Sequence, residues 1–171
     1  MPIDRVVVNA SPLITLFRSG LHPLLPQLFP ELLVPDLVWN EVVSQTYDDP
    51  AARGLPTVSW ARRTLVTLEP QVQLWGLGAG ETAVLSFAMH KSDYIAVVDD
   101  RAARRCAKVL RIPLIGTAGV IVLAKRRGFL GSIEEALLQL QDAGLWLSQG
   151  LIDKLIDECD GTHSWSDHPD V

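Results

Sequence analysis

The stretch Tyr94–Arg111, YIAVVDDRAARRCAKVLR, decides the fold of this chain. Tyr94–Val98 is a short, apolar, β-branched run, as a strand covered on both faces requires. Asp99 and Asp100 follow it directly, and the spacing predicts a helix over Arg101–Leu110. Either aspartate can accept from a free N–H of that helix's first turn. The next segment repeats the pattern. Pro113–Ile115 is strand-like, Gly116 turns the chain, and Thr117 is placed to cap a helix ending near Gly128.

Toward the N-terminus two more such passes precede it. Arg5–Asn9, RVVVN, reads as a strand, and Ser11 opens a helix with Pro12 at a first helical position. Leu32–Val34 is extended, with Asp36 placed to cap a helix from Leu37 to about Gln45. Tyr47–Pro56 reads as a loop, and Thr57–Leu68 stays open between strand and helix. Gly76, Gly78 and Gly80 precede a helix from Glu81 to His90. Ile133–Leu140 and Leu151–Cys159 read as closing amphipathic helices, and 161–171 as a polar, flexible tail. Strands alternating with helices define an α/β domain, residues 1–160, built on a parallel sheet.

A chain of 171 residues with 48% hydrophobic content supports one buried core. No apolar run approaches the roughly 20 residues that span a bilayer, so no membrane association is expected. The first residues lack the pattern of a secretory signal. Cys106 and Cys159 form neither a CxxC nor a disulfide framework, which fits a reducing cytoplasm. The net charge of −5 excludes a protein that simply coats nucleic acid, yet charge is segregated. Lys91–Leu130 holds nine basic residues against three acidic ones. Arg101, Arg104, Arg105, Lys125, Arg126 and Arg127 are therefore candidates for holding a phosphate backbone.

The acidic residues are the candidates for chemistry. Glu81 heads the stripe Val84, Leu85, Ala88 and Met89, and Glu41 shares a stripe with Leu37, Val38 and Val42. Each carboxylate thus sits on a face that packs inward, where an unpaired charge is costly. Asp99 and Asp100 end a strand, and in open parallel folds ligands bind at that carboxyl edge. Asn9 ends the first strand at the same edge, beside Ser11. Each carboxylate alone also has a structural explanation as a cap or a surface partner. Four acids from separate βα turns repel one another, and a hard cation such as Mg²⁺ or Mn²⁺ offsets that repulsion. The four histidines show no zinc-ligand spacing, and GxxxxGK[ST], a Rossmann GxGxxG and GxSxG are absent. A carboxylate-held ion beside basic residues suits phosphodiester hydrolysis.

The runs VVVNASPLITL, LLVPDLVWNEVV, GLGAGETAVLSFA and VVDDRAARRCAKVLRIPLIGTAGVIVLAKRRG, in this order, resemble PIN-domain proteins, and more narrowly their VapC-like toxin branch. The resemblance covers residues 3–160. It implies a Rossmann-like three-layer α/β/α sandwich and an endoribonuclease dependent on Mg²⁺ or Mn²⁺. It also implies an RNA substrate, a small antitoxin partner and a homodimer, for which Leu24–Phe29 is candidate interface. By position Glu41, Glu81, Asp99 and Asp100 match the catalytic and metal-binding acids, and Ser11 matches a small hydroxyl residue that accompanies them. Most such nucleases carry aspartate where this chain has Asn9. An amide oxygen can ligate Mg²⁺ but brings no charge, so a weakly active or inactive RNA- or protein-binding module is the alternative.

Overall fold

A computed structural model describes residues 2–46 and 48–160. The segment 161–171, expected to be a flexible tail, lies outside the described residues. The elements run β1 (Arg5–Val8), α1 (Ala10–Arg18), α2 (Leu24–Leu28), β2 (Glu31–Pro35), α3 (Asp36–Val43) and α4 (Pro50–Gly54). A 3-10 turn (Leu55–Thr57), β3 (Ala61–Thr64), α5 (Pro70–Gln73), α6 (Ala79–His90), β4 (Ile95–Val97) and α7 (Arg101–Leu110) follow. β5 (Leu114–Ile115), α8 (Thr117–Arg126), α9 (Ile133–Asp142) and α10 (Gln149–Asp160) complete the order.

The five strands form one all-parallel sheet in the order β3-β2-β1-β4-β5. In its middle strand Val6, Val7 and Val8 are fully buried, as two covered faces demand. The edge strand β3 is Ala-Arg-Arg-Thr, with both arginines exposed. Charged side chains on an edge discourage pairing with another sheet, and they erase the hydrophobic signal that would identify the strand. Helices α1, α3, α4 and α6 pack on one another, and α8, α9 and α10 form a second group that α2 joins through α8. This is a Rossmann-like three-layer α/β/α fold. Among the described residues no helix is long and apolar enough to cross a membrane.

Several local expectations are corrected. The loop expected over 47–56 contains α4, which starts with Pro50 and is capped by Asp49 through the N–H groups of Ala51 and Ala52. Helix α3 begins at Asp36 itself, which makes no cap and pairs instead with Arg63. Thr117 is the first residue of α8 rather than its cap. Leu25, Leu28 and Phe29 are core residues, buried near α8 and β2, so the segment read as interface material is occupied within the chain itself.

Candidate metal and nucleic-acid site

In a parallel sheet every strand delivers its following turn to one edge, and the candidate acids gather there for that reason. Asn9 leaves β1 and occupies the N-cap position of α1, with its side chain buried at 1% exposure. Its Nδ2 donates to Glu81 Oε1 across 3.0 Å. Its Oδ1 is buried and has no hydrogen-bond partner among the described residues. Buried amide oxygens are rarely left so.

Gly80 shows what that oxygen faces. A Cβ placed on Gly80 would lie 3.0 Å from Asn9 Oδ1 and 2.9 Å from Glu41 Oε2. One on Gly78 would lie 2.3 Å from Glu81 Oε2. The glycines before Glu81 therefore leave room for carboxylates to come in close. Glu41 is exposed, not packed inward as its stripe with Leu37 predicts. Partial burial of its carboxyl still pushes it above the ordinary range, and the charge of Glu81 adds to the shift. Ser11 and Glu41 line a cleft of about 280 Å³ together with Thr15 and Arg18. Arg18 in turn binds the buried Asp49, through Nε at 2.7 Å and Nη2 at 2.6 Å.

The other two acids do different work. Asp99 Oδ1 accepts from the Thr117 N–H at 2.8 Å, and Asp99 Oδ2 accepts from Thr117 Oγ1 at 2.6 Å. A residue from β4's exit thereby holds the start of α8. Asp100 caps its own helix, accepting from the Ala103 N–H at 2.8 Å. The capping explanation thus holds for Asp100, whereas Asp99 caps no turn of α7 and is bonded instead to Thr117 of α8. The structure brings Asn9, Glu41 and Glu81 together, and it engages Asp99 and Asp100 at two helix starts. Among the described residues no three His, Cys, Asp or Glu side chains are grouped to hold a metal.

The basic residues divide by helix direction. Arg101 and Arg104 sit in the first turns of α7, at the carboxyl edge, and line a second cleft of about 460 Å³ with Asp99. Arg104 Nη1 also donates to the Val98 carbonyl at 3.3 Å. Arg105 is exposed on the same helix. Lys125, Arg126 and Arg127 lie at the end of α8, whose first residue Thr117 is bound to Asp99 and which runs away from it. Ten residues carry a helix about 15 Å. Arg127 accordingly donates to the carbonyls of Leu28 (2.9 Å) and Ile3 (3.0 Å), ahead of β2 and β1 at the amino edge. Lys125 donates to the Gly131 carbonyl at 2.7 Å. The expectation that these three share a phosphate-binding face with Arg101 and Arg104 is not met.

Sequence reasoning missed Gly80, Arg18 and the α9–α10 connection. Ala143 and Gly144 of that connection line the Glu41 cleft, and Leu145–Ser148 line the Asp99 cleft. The run Gly76, Gly78 and Gly80 was the available signal for the first; the second and third carried none.

A parallel α/β sheet with carboxylates and an amide oxygen converging at its carboxyl edge is an open α/β fold with its site where such folds bind ligands. Residues 5–160 match the model of the family DUF3368, PIN domain. The chain belongs to the PIN-domain family. No curated protein matches the chain. PIN domains are typically nucleases that act on nucleic acid and generally use divalent metal ions.

Proposed function

We propose that this chain is a metal-dependent endoribonuclease of the cytoplasm and the toxin of a toxin-antitoxin module, acting as a homodimer with a small antitoxin. The observation that carries the nuclease reading is the buried, unpartnered Asn9 Oδ1 facing the space beside Gly80 that Glu41 Oε2 also approaches. An orphaned acceptor beside two carboxylates fits a hard cation, which takes oxygen donors. Mg²⁺ or Mn²⁺ would be held by Asn9 Oδ1, Glu41 and Glu81, with Asp99 and Asp100 as candidates from the adjacent turn. When bound, such an ion lowers the pKa of a water and offsets charge on phosphate oxygens.

The chain's own groups supply the rest. Asn9 Nδ2 fixes Glu81 in one orientation, and Asp99 ties the start of α8 to the exit of β4, which keeps the edge rigid. Asp100 orders the first turn of α7, from which Arg101 and Arg104 reach the second cleft. Guanidinium groups there suit the RNA backbone. Ser11 can donate to a substrate in the Glu41 cleft. The toxin role rests on the resemblance to the VapC-like branch.

The alternative, a PIN-like module with weak or no turnover, is favoured by Asn9 itself, which brings no charge and donates to Glu81. RNA cleavage by wild type, Asn9→Asp and Glu81→Gln in Mg²⁺ or Mn²⁺ separates the readings. Cleavage lost in Glu81→Gln supports the nuclease. A wild type that is silent while Asn9→Asp cleaves supports the weak module, and activity surviving Glu81→Gln sinks the proposed site. Growth arrest on expression, relieved by the product of a neighbouring short reading frame, tests the toxin role.

A further inference from the structure

The α9–α10 connection holds a large aromatic side chain out of the core on a fixed backbone. Trp146 is 74% exposed. Its neighbours are anchored: the Leu145 N–H donates to the Leu140 carbonyl at 3.0 Å, Gln141 Nε2 donates to the Leu147 carbonyl at 3.1 Å, and Leu147 is buried. Gly144, at φ +106°, sets the turn that leads into this segment. An exposed indole on a rigid support forgoes burial that would stabilise the fold, and it loses little conformational freedom when a partner stacks on it.

The surroundings identify that partner. Trp146 lines the 460 Å³ cleft, whose wall includes the apolar side chains of Leu145, Leu151 and Leu155 and the charged side chains of Asp99, Arg101 and Arg104. A flat apolar face beside guanidinium groups matches one nucleotide of a single strand, with the base on the indole and its phosphate toward the arginines. The same connection borders both clefts, with Ala143 and Gly144 toward Glu41 and Trp146 toward Asp99. A strand crossing it would place an unstacked base next to the acidic edge.

We propose that Trp146, with Arg101 and Arg104, forms a base-stacking subsite for single-stranded RNA adjoining the acidic edge. This inference rests on the ribonuclease reading for its substrate class. Binding is measured separately from turnover so that the two can fail separately. Metal-free protein in chelator is titrated into a labelled eight-nucleotide RNA, and into the same backbone with the bases removed, while fluorescence anisotropy is recorded.

Trp146→Ala should weaken binding of the intact RNA roughly tenfold, in line with the loss of one stacked base. Trp146→Phe, which keeps a stacking face, should stay near wild type. Removing the bases should weaken the wild type and leave Trp146→Ala little changed. Equal affinity of wild type and Trp146→Ala for the intact RNA overturns the subsite, as it would if the cleft served a protein partner. So does a Trp146→Phe variant as weak as Trp146→Ala. Cleavage of a longer RNA in Mn²⁺ is scored alongside. Binding with the expected pattern but no cleavage removes the nuclease and leaves the subsite, whereas cleavage without any Trp146 effect does the reverse. A wild type that neither binds nor cleaves overturns both.

Discussion

Asn9 and Glu81 are joined by one hydrogen bond, 3.0 Å from Nδ2 to Oε1, and that bond fixes which way the asparagine faces. With Nδ2 committed to the carboxylate, the buried Oδ1 faces the space beside Gly80 that Glu41 Oε2 also approaches. Asn9→Asp would exchange a donor for an acceptor and set a third carboxylate against two others. The ion-free variant should lose about 1–3 kcal/mol, the range for removing one partner of a buried polar pair. Its Mn²⁺-induced rise in melting temperature should exceed that of the wild type, because a charged ligand replaces a neutral one. Thermal denaturation with and without Mn²⁺ reads both effects. A variant stabilised in chelator would contradict this account of the Asn9–Glu81 bond.

Gly80 tests the space itself. Alanine is the better helix former, by up to about 1 kcal/mol over glycine, and Gly80 lies within α6. The added methyl would crowd Asn9 Oδ1 at 3.0 Å and Glu41 Oε2 at 2.9 Å. The glutamate is the flexible end and can swing away. Gly80→Ala should therefore fold with stability within about 1 kcal/mol of wild type while losing the Mn²⁺ effect. An undiminished Mn²⁺ shift would move the ion elsewhere.

These residues show how unevenly a sequence exposes its structure. Helix α7 was legible over its full span because Asp100 marks its start and a charged-apolar period runs to Leu110. β3 was not, since an edge strand of Arg62 and Arg63 has no apolar alternation to read. The short helices α4 and α5 each begin at a proline, Pro50 and Pro70, which in sequence also marks a loop. At the site, Asn9 was legible from the parallel topology, which puts the end of β1 at the carboxyl edge, while Glu41 and Glu81 were legible as carboxylates set into apolar helical stripes. The engagement of Asp99 by Thr117, 18 residues on, depends on how two turns meet, which no local pattern carries. Lys125–Arg127 belong to a basic patch along the chain but not in space, because α8 carries them away from the carboxyl edge.

Asp99 makes a stability prediction distinct from any catalytic one. Thr117 is fully buried, and its N–H and hydroxyl both donate to Asp99. Asp99→Ala strands both donors and should cost about 1–2 kcal/mol, as loss of a helix cap does. Asp99→Asn keeps one acceptor oxygen and should cost less. Urea denaturation ranks the three proteins. A large activity loss in Asp99→Asn with little change in stability would then assign Asp99 a role beyond holding α8.

Glu41 links stability to pH with a definite sign. Its carboxyl is raised above the ordinary value of 4.5, first by burial and then by Glu81. Between that value and the raised one, the folded chain binds more protons than the unfolded chain, so this group's contribution falls as pH rises. It is most favourable below 4.5 and least favourable above the raised value. Glu41→Gln should remove the slope, and the wild-type-minus-variant difference in urea midpoint should decline from about pH 4 to about pH 7. A difference that grows with pH in chelator would mean that Glu41 is held by a cation within the protein instead.

Arg127 and Arg101 separate the two ends of the sheet in one experiment. Arg127 ties Leu28 and Ile3 together through their carbonyls at the amino edge, so Arg127→Ala leaves two acceptors without this donor. It should destabilise by about 1–3 kcal/mol while leaving RNA affinity near wild type once the protein is folded. Arg101 is exposed at the start of α7 and lines the cleft beside Asp99. Arg101→Ala should leave stability within about 0.5 kcal/mol, as surface substitutions do. It should weaken RNA binding and lower the steepness of its salt dependence by about one counterion. Anisotropy titrations at several salt concentrations, paired with urea melts, read all four quantities. The prediction is lost if Arg127→Ala flattens the salt dependence and Arg101→Ala does not, because phosphate would then bind at the edge away from the acids.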